Sequence, residues 1–176
     1  MLKNRLFSFV AILLFVTGCA TSVTKDISVD TDADPKTNFS AYKSYAWLGS
    51  ATIVYDAEGK WEPPSFDADA EIKYLIDREL RKRGMVEDSL NPDMIVTFAA
   101  GVDMDVQQYK VDPESDIDIL ENVPLGALSV VLVDAKTEIV IWAGLATAEI
   151  QDEPSSDVVK QRLDYAVTSM FKELPR

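Results

Sequence analysis

Hydrophobic positions recur along this chain in two rhythms. Ile72, Leu75, Ile76 and Leu80 fall at three- and four-residue intervals, which predicts an amphipathic helix over 67–83. Asp67, Asp69 and Glu71 stand in its first turn, Arg81, Lys82 and Arg83 in its last, and Gly84 where a left-handed stop belongs. The same spacing carries Val159, Leu163, Ala166, Val167, Met170 and Phe171 and predicts a second helix over 155–174, capped by Ser155 or Ser156. The other rhythm is extended. Near-continuous apolar residues at 94–102 predict a central strand, and two β-branched runs at 127–133 and 138–150 flank the turn residues 134–137 as a hairpin. Tyr45 and Trp47 alternate with smaller residues in a strand that ends at Gly49-Ser50, followed by a second extended piece at 52–55 and a turn at 56–59.

Two regions have weaker patterns. Residues 20–38 are polar and read as a tether with a first strand near 27–31, so the domain proper is expected to begin at 39 and run to 176. Residues 103–124 are acidic and mixed; Val106, Tyr109 and Val111 mark an edge strand, and 112–116 must be loop. The chain has no internal repeat. Its order of strands, helix, strand, hairpin and helix implies an α+β fold: an antiparallel or mixed β-sheet with two amphipathic helices packed on one face.

Composition narrows the chemistry. The 176 residues hold 17 Lys+Arg, 30 Asp+Glu, one Cys and no His, for a net charge of −13. Without histidine there is no Ser-His-Asp triad, Cys-His pair or imidazole metal site. One cysteine makes neither an intramolecular disulfide nor a thiolate zinc cage, and the acidic balance opposes nucleic-acid binding.

The position of that cysteine carries more than its number. Lys3 and Arg5 precede an eleven-residue run, 6–16, in which only Ser8 is polar, and Val16-Thr17-Gly18-Cys19 follows. As a helix this run spans about 16 Å against a hydrocarbon core of roughly 30 Å, so a signal peptide fits better than a membrane span. The four residues resemble a bacterial lipobox, which implies cleavage between Gly18 and Cys19 with removal of 1–18. It also implies a diacylglyceryl group and an N-acyl chain on Cys19 as the only covalent addition, with no other cofactor. Ala20, where inner-membrane lipoproteins often carry Asp, implies an outer-membrane anchor with the domain in the periplasm. The processed chain holds 15 basic against 30 acidic residues, net −15, so attachment must rest on lipid rather than on attraction to anionic headgroups.

Three segments in order resemble the lipoproteins grouped as domain-of-unknown-function family 4136. They are Asn38-Phe39-Ser40-Ala41-Tyr42-Lys43-Ser44-Tyr45-Ala46-Trp47, then Asn91-Pro92-Asp93-Met94-Ile95-Val96, then Val133-Asp134-Ala135-Lys136-Thr137 with Val140-Ile141-Trp142-Ala143-Gly144. The resemblance implies an envelope lipoprotein with an α+β domain and brings no activity. Many relatives carry a Gly-, Tyr- and Trp-rich loop after the central strand, where this chain is acidic.

Four groups of residues are candidate sites. Asp30, Asp32 and Asp34 begin like a calcium loop, but Pro35 and Ala41 occupy the places of its Gly and closing Glu, which favours a solvated acidic tether. Asp103, Asp105, Asp112, Glu114, Asp116, Asp118 and Glu121 supply carboxylates for acid–base work, or for a basic partner, or for nothing beyond solvation. Arg78, Arg81, Lys82 and Arg83 offer a surface to a phosphate or an acidic partner, or simply oppose the helix dipole. Tyr42, Tyr45, Trp47 and Trp142 suit either a sugar groove or a core, and Trp61 beside Pro63-Pro64 is the aromatic expected to be exposed. Together these features favour a non-enzymatic structural or protein-interaction module, with an unidentified envelope protein or glycan as partner. A binding module for a small ligand, cation or glycan comes second and a carboxylate hydrolase last. No motif specifies an oligomeric state.

Overall fold

The computed structural model describes residues 23–111 and 118–176, and the signal peptide, Gly18 and Cys19 lie outside them. Eight strands and two α-helices form the fold: β1 (Ser28–Ala33), β2 (Ser44–Tyr55), α1 (Ala68–Lys82), β3 (Val86–Glu87), β4 (Met94–Asp103), β5 (Gln107–Val111), β6 (Asp118–Asn122), β7 (Leu125–Asp134), β8 (Val140–Glu149) and α2 (Ser156–Glu173). Six strands make one mixed sheet in the order β1-β8-β7-β4-β2-β3, and β5-β6 forms a separate two-stranded ribbon. Only β2 with β3 and β4 is parallel; α1 supplies the crossover that a parallel β2–β4 pair requires.

Both helices end as their sequences dictate. Asp67 Oδ1 accepts from Ala70 N at 2.9 Å and caps α1, and Ser155 caps α2. Gly84, at φ +79°, lets Met85 N reach Leu80 O at 3.1 Å and Gly84 N reach Arg81 O at 2.9 Å, the paired bonds of a left-handed helix stop.

The helices lie side by side on one face of the sheet and point the same way. Ser65 meets Ser156 near their starts, Lys160 meets Glu71 further along, and Arg78 meets Asp164 beyond that. Between them and the sheet sit Tyr45, Met94, Val96, Leu132, Trp142 and the buried faces of both helices. Each fully buried aliphatic side chain stabilises the fold by about 1.5–3 kcal/mol. Trp142 stacks at a tilt on Phe171, ring centroids 5.3 Å apart.

Three expectations change. β1 is no part of a tether: it pairs with β8 from Ser28 to Ala33, so the domain starts well before residue 39. The strand expected to end at Gly49 continues to Tyr55, because a bulge between Trp47 and Gly49, which sits at φ +148°, absorbs the irregularity. The acidic segment holds a ribbon rather than one weak strand, with Val111 opposite Asp118; Asp112, Glu114 and Asp116 fall outside the described residues.

Gly144 tests the packing. A Cβ there would stand 2.6 Å from Trp142 Cη2 and 2.9 Å from Met170 Sδ. Gly144→Ala is expected to destabilise the domain by about 1–3 kcal/mol, measured by urea unfolding, because the indole must move out of its contact with Phe171.

Candidate functional site

The expected candidates are mostly engaged in structure. Arg78 donates to Glu79 Oε1 at 2.6 Å, Asp164 Oδ1 at 2.5 Å and Thr168 Oγ1 at 2.7 Å, and Lys82 reaches the same Glu79 oxygen at 2.8 Å. Burial pushes the Glu79 carboxyl up, and the Lys82 and Arg78 bonds outweigh it, so its pKa lies below the ordinary value. Arg83 closes the end of α2 by donating to the carbonyls of Phe171, Leu174 and Pro175 at 2.6–2.8 Å. Of the expected basic surface, Arg81 and Lys82 are exposed.

The aromatic set is divided among separate contacts. Tyr45 Oη and Trp47 Nε1 both donate to Asp77 Oδ1, at 2.8 and 3.1 Å, and Trp142 is buried. Trp61 is half-buried rather than exposed, and its backbone N–H donates to Asp56 Oδ2 at 2.7 Å.

Asp30 and Asp32 occupy alternate positions on the exposed side of β1, and Asp34 turns inward to accept from Lys36 N and Thr37 Oγ1. An extended strand cannot converge their oxygens as a tight loop does, and no group of three Cys, Asp or Glu residues is placed to hold a metal among the described residues. Asp105 accepts from Ala57 N, and Asp103 from Asp105 N. Among the described residues, the carboxyls displaced from their ordinary pKa are Asp26, Asp56, Glu79, Asp93 and Asp134, and each moves down. None is thereby held protonated near neutrality as a general acid requires.

Two concavities among the described residues are candidates for a site. One, of about 360 Å³, lies among Asp34, Tyr42, Asp93, Asp134 and Lys136. Its polar groups serve one another. Asp134 accepts from Tyr42 Oη at 2.7 Å and from Thr137 N at 2.7 Å, and Asp93 accepts from Lys43 N and Ser44 N. The Tyr42 bond, with those from Thr137 and Lys136, holds the Asp134 carboxyl down at about 2; burial and the same carboxylate push Tyr42 up to about 12.

The second is a groove of about 1120 Å³ between the sheet and the first turns of both helices. Ala100, Val102, Gly126, Leu128, Ala146 and Ala148 form its floor, and Phe66, Ile72, Val159, Leu163 and Ala166 its roof. Trp61 and Pro63-Pro64 close one side. The space exists because the strands carry small side chains here and large ones further along: Ala100, Gly126 and Ala148 project to the same face as Val96, Leu132 and Trp142. That alternation was the signal in the sequence, and pattern reading passed it over because alanine and glycine count as neither hydrophobic anchor nor chemistry. The groove exceeds the roughly 300–1,000 Å³ of ordinary small-molecule sites, and its lining is mainly apolar.

The fold and groove define a mixed-sheet α+β domain with a recess under parallel helices. Residues 29–176 match the family model for the domain of unknown function DUF4136, and the chain belongs to that family. A crystal structure of a DUF4136 family protein from Bacteroides thetaiotaomicron is similar at TM-score 0.54 and 12% identity, covering 84% of this chain and 95% of that one. A PDZ domain protein from Parabacteroides distasonis is similar at TM-score 0.52 and 14% identity, covering 89% of this chain; the chain spans 39% of that protein. A lipoprotein from Neisseria meningitidis aligns at TM-score 0.42 and 13% identity, covering 74% and 98%. No curated protein matches the sequence. The first two likenesses show the fold alone.

Because Asp134 titrates near 2 when folded and near 3.8 otherwise, its contribution is complete above pH about 4 and is lost as pH falls through about 2. Urea midpoints should therefore drop more steeply across that window in the wild type than in Asp134→Asn, whereas parallel profiles would remove Asp134 from the account.

Proposed function

We propose that the chain is a lipid-anchored, non-catalytic binding module of the bacterial envelope. Residues 1–18 direct export, Cys19 receives a diacylglyceryl group and an N-acyl chain, and the domain stands in the periplasm from the outer membrane. The lipobox-like Val16-Thr17-Gly18-Cys19 supports the anchor. No helix among the described residues is long and apolar enough to cross a membrane. The observation that carries the binding role is the groove: an apolar recess of about 1120 Å³ that the side chains of the described residues leave unfilled. Packed interiors seldom tolerate such a void without a ligand to occupy it.

A protein-docking role has its own observation. The sheet face opposite the helices carries Ile95, Val131, Val133 and Leu145, none of them buried. β2 also has a free edge beyond Tyr45, with Leu48, Ile53 and Tyr55 exposed.

The anchor predicts that wild-type chain takes up radiolabelled palmitate and fractionates with outer membranes, and that Cys19→Ser loses both; label retained on Cys19→Ser contradicts it. The binding role predicts that organic extracts of envelope-purified protein contain an apolar compound at near-stoichiometric amount. An empty extract from folded protein contradicts that role.

A further inference from the structure

The groove opens at the pole of the domain from which the chain leads back to Cys19. Register places Tyr55, Asp103, Leu125 and Glu149 in one row at that end of the sheet, with Ser28 opposite Thr147 beside it. Arg162 fixes the chain's entry there. It donates to Asp26 Oδ1 at 2.8 Å and Oδ2 at 2.5 Å, to Glu149 O at 3.1 Å and to Val23 O. Ile27 and Arg162 both line the groove. Cys19 is four residues before Val23, so an anchored chain holds this pole within about 14 Å of the acylated residue.

A second observation marks the same pole. The β5–β6 ribbon leaves the sheet there, Val123 N bonding Val106 O at 2.8 Å and Lys110 pairing with Glu149. Tyr109 and its cross-strand partner Leu120 project from it, 79% and 58% exposed, with Val111 two residues on at 57%. An exposed aromatic beside aliphatic residues on a tethered pole has the composition of a membrane-contacting surface.

We infer that the groove takes an acyl chain of a phospholipid from the leaflet that holds the anchor, and that the phospholipid carries an ammonium headgroup. The apolar floor and roof suit the chain. Charge at the rim selects the head: Glu62, Asp67, Asp69, Asp152 and Glu153 surround the opening against Lys60 and Arg162, while Glu149 there is paired with Lys110. Both cations are already engaged, Lys60 with Glu58 and Arg162 with Asp26. A carboxylate or phosphatidylglycerol head would meet a rim of net negative charge, whereas an ethanolamine ammonium meets acids. This inference rests on the anchored binding module proposed above.

The test uses the full chain and monomeric lysophosphatidylethanolamine brominated on its acyl chain, read by tryptophan fluorescence. Bromine quenches at near contact, and of the three tryptophans Trp61 lines the groove. Saturable quenching is expected, Trp61→Phe should remove most of it, and Ala148→Phe, which fills the floor, should weaken it by about tenfold or more. Ala100→Leu serves the same purpose should Ala148→Phe fail to fold, judged by its melting temperature. Lysophosphatidylglycerol is expected to bind more weakly. Unchanged quenching in a folded groove-filling variant, or none in the wild type, overturns the inference; so does a concentration-dependent dimer that Ala148→Phe breaks, which would give the groove to a second copy. Tighter binding of lysophosphatidylglycerol overturns the headgroup assignment. The intact mass of the same sample reports acylation of Cys19 separately, so a lost anchor and an unfilled groove give different results.

Discussion

The constraint on which this structure depends is that one face of a six-stranded sheet is covered by two helices of fixed spacing, and side-chain volume beneath them is unevenly distributed. Where the strands carry Met94, Leu132 and Trp142, the space is filled and the helices are held. Where they carry Ala100, Gly126 and Ala148, the helices cannot descend to meet the floor, because the filled end and the Arg78 and Arg83 bonds keep them in place. A void follows from packing at the other end. The same arrangement shows what two of the basic residues of α1 do: Arg78 and Arg83 join α1 to α2.

Electrostatics divide the domain in a related way. At the filled end, carboxylates are enclosed in hydrogen bonds: Asp77 receives Tyr45 and Trp47, Asp134 receives Tyr42, and Asp93 receives the start of β2. Those bonds hold the Asp93 and Asp134 carboxyls below the ordinary range, so these two stabilise the fold as anions. At the open end, the acids around the groove face solvent and set a field at its mouth.

Periodicity was sufficient for much of the fold. The stripe Ile72-Leu75-Ile76-Leu80 and the stop at Gly84 fixed α1 within a residue or two, and the apolar runs around 134–137 defined the β7–β8 hairpin. What periodicity missed depends on contacts distant in sequence. The first strand expected near 27–31 is present, but that it belongs to the domain sheet is shown only by its pairing with β8, a contact distant in sequence. The DUF4136 resemblance was legible from three short segments. The groove was not, since it arises where small residues from three strands align under helices, and no local window contains that alignment.

The central claim is that the recess under the helix starts accommodates an acyl chain, and photocrosslinking tests it most directly. Full-length protein in phosphatidylethanolamine vesicles would be irradiated with a phospholipid bearing a diazirine on its acyl chain, and the adducts mapped by mass spectrometry. The account predicts adducts on groove residues such as Ile72, Leu163 and Ala148. Adducts confined to the β5–β6 ribbon or to the outer face around Val131 and Leu145 would contradict it.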